Sequence, residues 1–290
     1  MGKLRCAFGA WLVLLVLFPT PSSMAQQPAS IERVKDALAY IDRGVAYAMK
    51  GQYDQAIADF NKALELNPRL AAAYNNRGLA YQYKGQYDQA IADHTKALEI
   101  DPRDAAAYSN RGLAYETKGQ HDQAIADFTK ALEINPRYAE AYDNRGNAYQ
   151  HKGQYDQAIS DYTKALELNP RLAAAYSNRG NAYQSKGQYD QAIADHIKAL
   201  EIDPRSAAAY SNRGNAYGSK GQYGEAVSDY NKALEIYPTF TAAFANRARA
   251  YYFLKNYDKA WDDVRKAQGL GGKMDEGFLK QLREASGREK

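Results

Sequence analysis

The sequence predicts an all-α solenoid, on three observations. Prolines recur at Pro68, Pro102, Pro136, Pro170, Pro204 and Pro238, each 34 residues after the last. Every interval carries two stretches of helical hydrophobic period with a glycine between them. The intervals also follow one another without a linker. A fixed period of this size marks one supersecondary unit stacked on the next, so it outweighs the one or two globular domains that 290 residues alone would suggest.

Met1 to Ala25 precedes the repeats. Lys3 and Arg5 form a basic start, an apolar run follows from Cys6 to Phe18, and Ser23-Met24-Ala25 ends the segment. The run is short for a bilayer span, and the small residues at its end suit a signal peptidase. The expectation is a secretory leader cleaved after Ala25 and an exported protein, periplasmic or secreted. Cys6 is the only cysteine, so the mature chain would have no disulfide, thiol nucleophile or cysteine metal site. Without Lys3 and Arg5, 36 of the 38 basic residues remain against 34 acidic ones, a balance that leaves no electrostatic footprint for nucleic acid or anionic membrane. Residues 26–36 read as a short polar approach in which Ser30 can cap an early helix start.

Seven units follow, over 37–70, 71–104, 105–138, 139–172, 173–206, 207–240 and 241–274. In the fifth, Tyr176, Gly180 and Tyr183 mark one amphipathic helix, and Ala192, His196, Ala199 and Leu200 a second. Gly187 should end the first helix and Asp190 cap the second. Pro204 should end the second, because it lacks an N–H and restricts Asp203. After the seventh unit, Gly269 to Gly272 break the pattern, and Met274, Phe278, Leu279 and Leu282 predict a capping helix from about Asp275 to Ala285. Heavy use of tyrosine, 25 residues, supplies rings to fill the space between helices.

These units resemble the tetratricopeptide repeat (TPR). The second supplies Tyr74, Gly78, Tyr81, Ala90, His94, Ala97 and Pro102, and the third Tyr108, Gly112, Tyr115, Ala124, Phe128, Ala131 and Pro136. Tyr or Phe stands where the family has Trp, and Arg where it has Leu before the glycine. The resemblance implies a right-handed superhelix whose concave surface is lined by the first helix of each unit. It also implies a role for one asparagine column: Asn76, Asn110, Asn144, Asn178, Asn212 and Asn246. TPR arrays that hold extended peptides use asparagines at this place, because an amide matches a peptide N–H and C=O together. Tyr83, Tyr252 and Phe253 are candidate anchors beside them. The family's carboxylate-clamp places hold Asn75, Ser109, Asp143, Ala174 and Asn178, which do not match that subtype's basic residues.

Two further columns match in number. Arg77, Arg111, Arg145, Arg179 and Arg213 accompany Asp93, Asp127, Asp161, Asp195 and Asp229, with Arg43, Arg247, Asp59 and Asp263 at the ends. An unpaired, semi-buried arginine is costly, so a ladder of structural ion pairs is expected. The inner places grade from Val45, Leu79 and Leu113, through Asn147, Asn181 and Asn215, to Arg249.

Catalysis is not expected. There is no phosphate loop and no nucleophile elbow. Paired carboxylates such as Asp262-Asp263 read as solvated surface. About eleven residues before the repeats and sixteen after them leave no space for a catalytic domain. No cofactor is expected. Of the four histidines, His94 and His196 stand at a core aromatic place, His121 replaces a turn tyrosine, and His151 faces the inner surface. No pair has the i, i+4 spacing of a helical metal site, so no metal site is expected. The reading is a non-enzymatic scaffold that binds an extended peptide or partner protein in its groove. A glycan or cell-wall polymer is the alternative occupant.

Overall fold

The computed structural model describes residues 21–288, which form fifteen α-helices and no strand. They are α1 (Pro21–Met49), α2 (Tyr53–Leu66), α3 (Ala71–Tyr83), α4 (Tyr87–Ile100), α5 (Ala105–Thr117), α6 (His121–Ile134), α7 (Ala139–His151) and α8 (Tyr155–Leu168). Then come α9 (Ala173–Ser185), α10 (Tyr189–Ile202), α11 (Ala207–Ser219), α12 (Tyr223–Ile236), α13 (Thr241–Phe253), α14 (Tyr257–Gly269) and α15 (Glu276–Ser286). Each unit is an antiparallel pair, an odd helix followed by an even one, and each pair packs on the next. First helices also touch the first helix of the following unit, from α1 with α3 to α11 with α13, which places them on the inner wall of the stack.

The turn within a unit is a left-handed C-cap. Gly187 has φ +74°, its N–H reaches Gln184 O at 2.9 Å, and the N–H of Gln188 reaches Tyr183 O at 2.9 Å. This pair of hydrogen bonds closes α9 and needs a residue without a Cβ penalty. In the seventh unit Lys255 stands in that place with φ 59°. The turn between units runs through the proline: Asp203 leaves helical geometry, its carboxylate accepts from the N–H of Arg205, and Ser206 caps α11 by accepting from Ala209.

Inside the first six units the core is made by alanines, one aromatic ring and one glycine; the seventh has Val264 and Ala248 at those places. The ring of Phe60, His94, Phe128, Tyr162, His196 or Tyr230 lies on Gly44, Gly78, Gly112, Gly146, Gly180 or Gly214. A Cβ on Gly146 would sit 2.6 Å from Tyr162, so glycine here allows the two helices to approach.

Charged joints run through this core. Each arginine of the column reaches the aspartate sixteen residues later in its own unit through Nε and Nη2. Arg145 donates to the two Asp161 oxygens at 2.7 and 2.8 Å. The aspartates are buried, and the guanidinium lies over the tyrosine three residues earlier, 5.6 Å from the Tyr142 centroid. A third bond crosses to the preceding unit: Arg145 Nη1 reaches Thr129 Oγ1 at 3.0 Å, and Arg111 reaches Thr95 at the same distance. Arg213 has no such partner, because Ile197 occupies the equivalent place. Bidentate, partly desolvated pairs of this kind bind strongly and orient rigidly.

On the surface, lysines tie each first helix to the preceding second helix. Lys84 meets Asp54, Lys118 meets Asp88, Lys152 meets Asp122, Lys186 meets Asp156 and Lys220 meets Asp190. In the next unit both members change together, to Gly224 and Leu254. Arg288, just past α15, takes the lysine's role for Asp258. Phe278, Leu279 and Leu282 are buried against Ala248, Ala260 and Val264, and Asp275 caps the helix by accepting from Phe278.

Two sequence expectations are corrected. Asp190 does not cap α10. The cap position is Gln188, and Asp190 lies in the first turn, where its charge complements the helix N-terminus and pairs with Lys220. Residues 26–36 are not a separate approach with a helix starting at Ser30. They are part of α1, which is helical throughout 26–36 and runs on to Met49. The leader expected over 1–25 lies mostly outside the described residues.

Candidate functional site

The inner wall carries two hollows, one at each end, the first mainly apolar and the second mixed. The N-terminal one, about 370 Å³, is lined by Val45, Met49, Tyr53, Asn76, Leu79 and Tyr83. The C-terminal one, about 380 Å³, is lined by Gln184, Asn215, Tyr223, Asn246, Arg249 and Phe253, among others. Both floors have the same construction. A turn tyrosine stacks on the last residue of the next unit's first helix: Tyr53 on Tyr83 at 5.1 Å, and Tyr223 on Phe253 at 4.5 Å. Tyr83 is 70% exposed and Phe253 55%, so each offers an aromatic face to an occupant. Tyr252 has a different place. It packs edge-on against Phe278 of α15 and belongs to the seam with the cap, not to the hollow.

The asparagine column is half-buried throughout but not uniform. Asn110 donates to Asn75 at 3.1 Å, Asn178 to Asp143 at 3.2 Å and Asn246 to Asn215 at 2.9 Å. Each bond ties one unit to the one before. Where the preceding unit offers serine instead, at Ser109 and Ser177, the amides of Asn144 and Asn212 make no such bond, and Asn76 likewise has none among the described residues. These three amides keep their hydrogen-bonding capacity for something else. Asp143, nearly enclosed, has its carboxyl pushed up by burial, and the bond from Asn178 only partly opposes this.

The polar grading of the inner wall has a partly internal cause. Tyr162 donates to Asn147 and Tyr230 to Asn215, each at 2.8 Å. Where the core ring is Phe60 or Phe128, the facing residue is apolar, Val45 or Leu113. A buried hydroxyl requires an acceptor, so much of the change from apolar to amide follows the core ring rather than an occupant. His94 and His196 are fully buried. Burial, with the charge of Arg111 or Arg213 nearby, lowers each to about 4.

The arginine column is committed to the joints. Arg77, Arg111, Arg145, Arg179 and Arg213 pair with Asp93, Asp127, Asp161, Asp195 and Asp229. The sequence reading did not find a cluster in the middle of the wall: His121, His151 and Glu116, with ligand-type atoms all within 4.8 Å of one another. The two histidines are 30 residues apart and meet across a unit boundary, which a search for i, i+4 pairs on one helix does not detect. The signal was their shared departure from the repeat consensus.

Such a molecule is an α-solenoid with a continuous inner surface. Tetratricopeptide-repeat models match residues 69–137 and 171–239, 37–70 and 139–172, and 211–274. The chain belongs to the tetratricopeptide-repeat family. No curated protein sequence matches it. Among solved structures, a tetratricopeptide repeat protein from Parabacteroides merdae shares 22% identity over 87% of this chain and 98% of its own, with a TM-score of 0.66. MamA shares 34% identity over 55% of this chain and 93% of its own, with a TM-score of 0.51. YrrB, described as a TPR protein with an unusual peptide-binding site, shares 29% identity over 63% and 95%, with a TM-score of 0.52.

Proposed function

We propose that this protein is a non-enzymatic scaffold that binds an extended peptide, or an extended segment of a partner protein, along its inner wall. The observation that carries the reading is the set of unbonded, half-buried amides at Asn76, Asn144 and Asn212, spaced along the wall that holds the two aromatic-floored hollows. A side-chain amide offers a donor and an acceptor to a peptide unit and is indifferent to side-chain identity. Tyr83 and Phe253 would anchor side chains at the ends. The peptide-binding site named for YrrB supports the same occupant.

The test is a triple variant, Asn76, Asn144 and Asn212 to Ala, titrated with peptides selected on the wild-type protein from a displayed library. Each lost neutral hydrogen bond costs about 0.5–1.5 kcal/mol, so affinity should fall by roughly 2–4 kcal/mol. Alanine is the better helix former, so melting temperature should hold or rise. Unchanged affinity in the folded variant, or selection of no peptide while cell-wall glycans bind, would overturn the reading.

Export is part of the proposal. It rests on Lys3, Arg5, the apolar run and Ser23-Met24-Ala25. Among the described residues no helix is long and apolar enough to cross a membrane. Mature protein should begin at Gln26, and N-terminal sequencing that returned Met1 would reject the cleaved leader.

A further inference from the structure

The middle of the inner wall departs from the repeat at three places that converge in space. At the turn position every other unit has tyrosine: Tyr53, Tyr87, Tyr155, Tyr189, Tyr223 and Tyr257; the third unit has His121. At the end of the first helix the units read Met49, Tyr83, Thr117, His151, Ser185, Ser219 and Phe253. One residue from the end of α5, Glu116 stands where neighbouring units have Gln82, Gln150 and Gln184. In units otherwise almost identical, three independent changes have brought two imidazoles and a carboxylate together.

Their ligand-type atoms all lie within 4.8 Å of one another. His121 Nδ1 lies 2.9 Å from Glu116 Oε2, and His151 Nδ1 is hydrogen-bonded to the other oxygen, Oε1. The imidazole rings are 5.2 Å apart and tilted by 41°. This is the place where Tyr53 meets Tyr83 and Tyr223 meets Phe253, so the histidine pair substitutes for an aromatic stack. Glu116 is 13% exposed, His121 29% and His151 60%, so the carboxylate is held at depth and the far side opens to solvent.

We propose that Glu116, His121 and His151 bind a divalent transition-metal ion of the zinc type. Imidazole and carboxylate are ordinary ligands for that ion, with bonds of about 2.0–2.2 Å, which set ligand atoms about 3.4 Å apart in a tetrahedron. The ligand atoms already lie within 4.8 Å of one another, so the ion needs the two hydrogen-bonded contacts to open toward that spacing. Each Nδ1 must release its proton to ligate, leaving Nε2 as the N–H donor. Three protein ligands leave the fourth position to water on the solvent side. The ion would cross-link the third unit to the fourth. This inference stands whatever occupies the groove.

The experiment titrates untagged protein with Zn²⁺ alone by calorimetry at about pH 7.5, because ligation competes with protons. One ion per chain should bind, and the melting temperature should rise with Zn²⁺ concentration. The variants Glu116→Gln, His121→Tyr and His151→Ser install residues that other units already carry, so they should fold, as a helical circular-dichroism spectrum would verify. Each should weaken Zn²⁺ binding by about tenfold or more, and together they should abolish the thermal shift. Absence of saturable binding to the wild type, or binding unchanged in the triple variant, would overturn the proposal.

Discussion

Replacing His196 by phenylalanine should stabilise the array, and increasingly so in acid. His196 is fully buried on Gly180, and neither ring nitrogen has a hydrogen-bond partner. Phe60 and Phe128 occupy the same place on Gly44 and Gly112 at similar distances, so a phenyl ring fits without displacing a helix. At neutral pH the substitution removes an unsatisfied buried polar group, a gain of about 1–3 kcal/mol. The acid dependence follows from burial, which lowers the imidazole from 6.5 to about 4 in the folded protein. The unfolded chain then takes up the proton first, so the native state is fully favoured above about 6.5 and loses ground as pH falls toward 4. Between about pH 7.5 and pH 5 this linkage removes roughly 2 kcal/mol from the wild type and nothing from the variant. Urea unfolding of both proteins across that range, followed by helical circular dichroism, measures the difference, in which every other titrating group cancels. A stability gap that stays constant with pH, or a variant less stable than wild type at neutral pH, would refute the argument.

Two further substitutions test the joints and the turns. Arg145→Ala removes both bonds to Asp161 and the link to Thr129, and leaves Asp161 buried without its counter-charge. It should cost about 3–5 kcal/mol, and a double-mutant cycle with Asp161→Ala should show strong coupling. Lys255→Gly relieves a side chain held at φ 59°, and should raise stability by about 1 kcal/mol in thermal or chemical melts.

The fold was legible because the punctuation is regular. Gly187 and Pro204 end α9 and α10 as the chain predicts, and the stripe of Phe278, Leu279 and Leu282 marks α15. Less was legible where the outcome depends on what another unit supplies. Asn110 and Asn144 read alike in sequence, yet only the first meets an acceptor, because Asn75 precedes it and Ser109 precedes the second. Tyr252 and Phe253 are adjacent, yet one faces the cap and the other the hollow. His121 and His151 look like isolated exceptions until the stacking superposes a turn on the next helix end. Asp190 lies two residues beyond the cap position, which Gln188 holds without a side-chain cap bond, so the aspartate's place in the first turn was not legible from its residue type.

The surface ties join residues 30 apart, as Asp122 to Lys152 and Asp156 to Lys186, while the repeat advances by 34. Excision of one whole unit would therefore bring Lys186 to Asp122 and leave no charge stranded. For the units that carry these ties, the length of the inner wall can therefore change by duplication or loss without redesign of the surface pairs. The histidine cluster is exempt from that freedom. Its members straddle one boundary only, so unequal recombination there would erase it in a single event while the rest of the array closed over the gap.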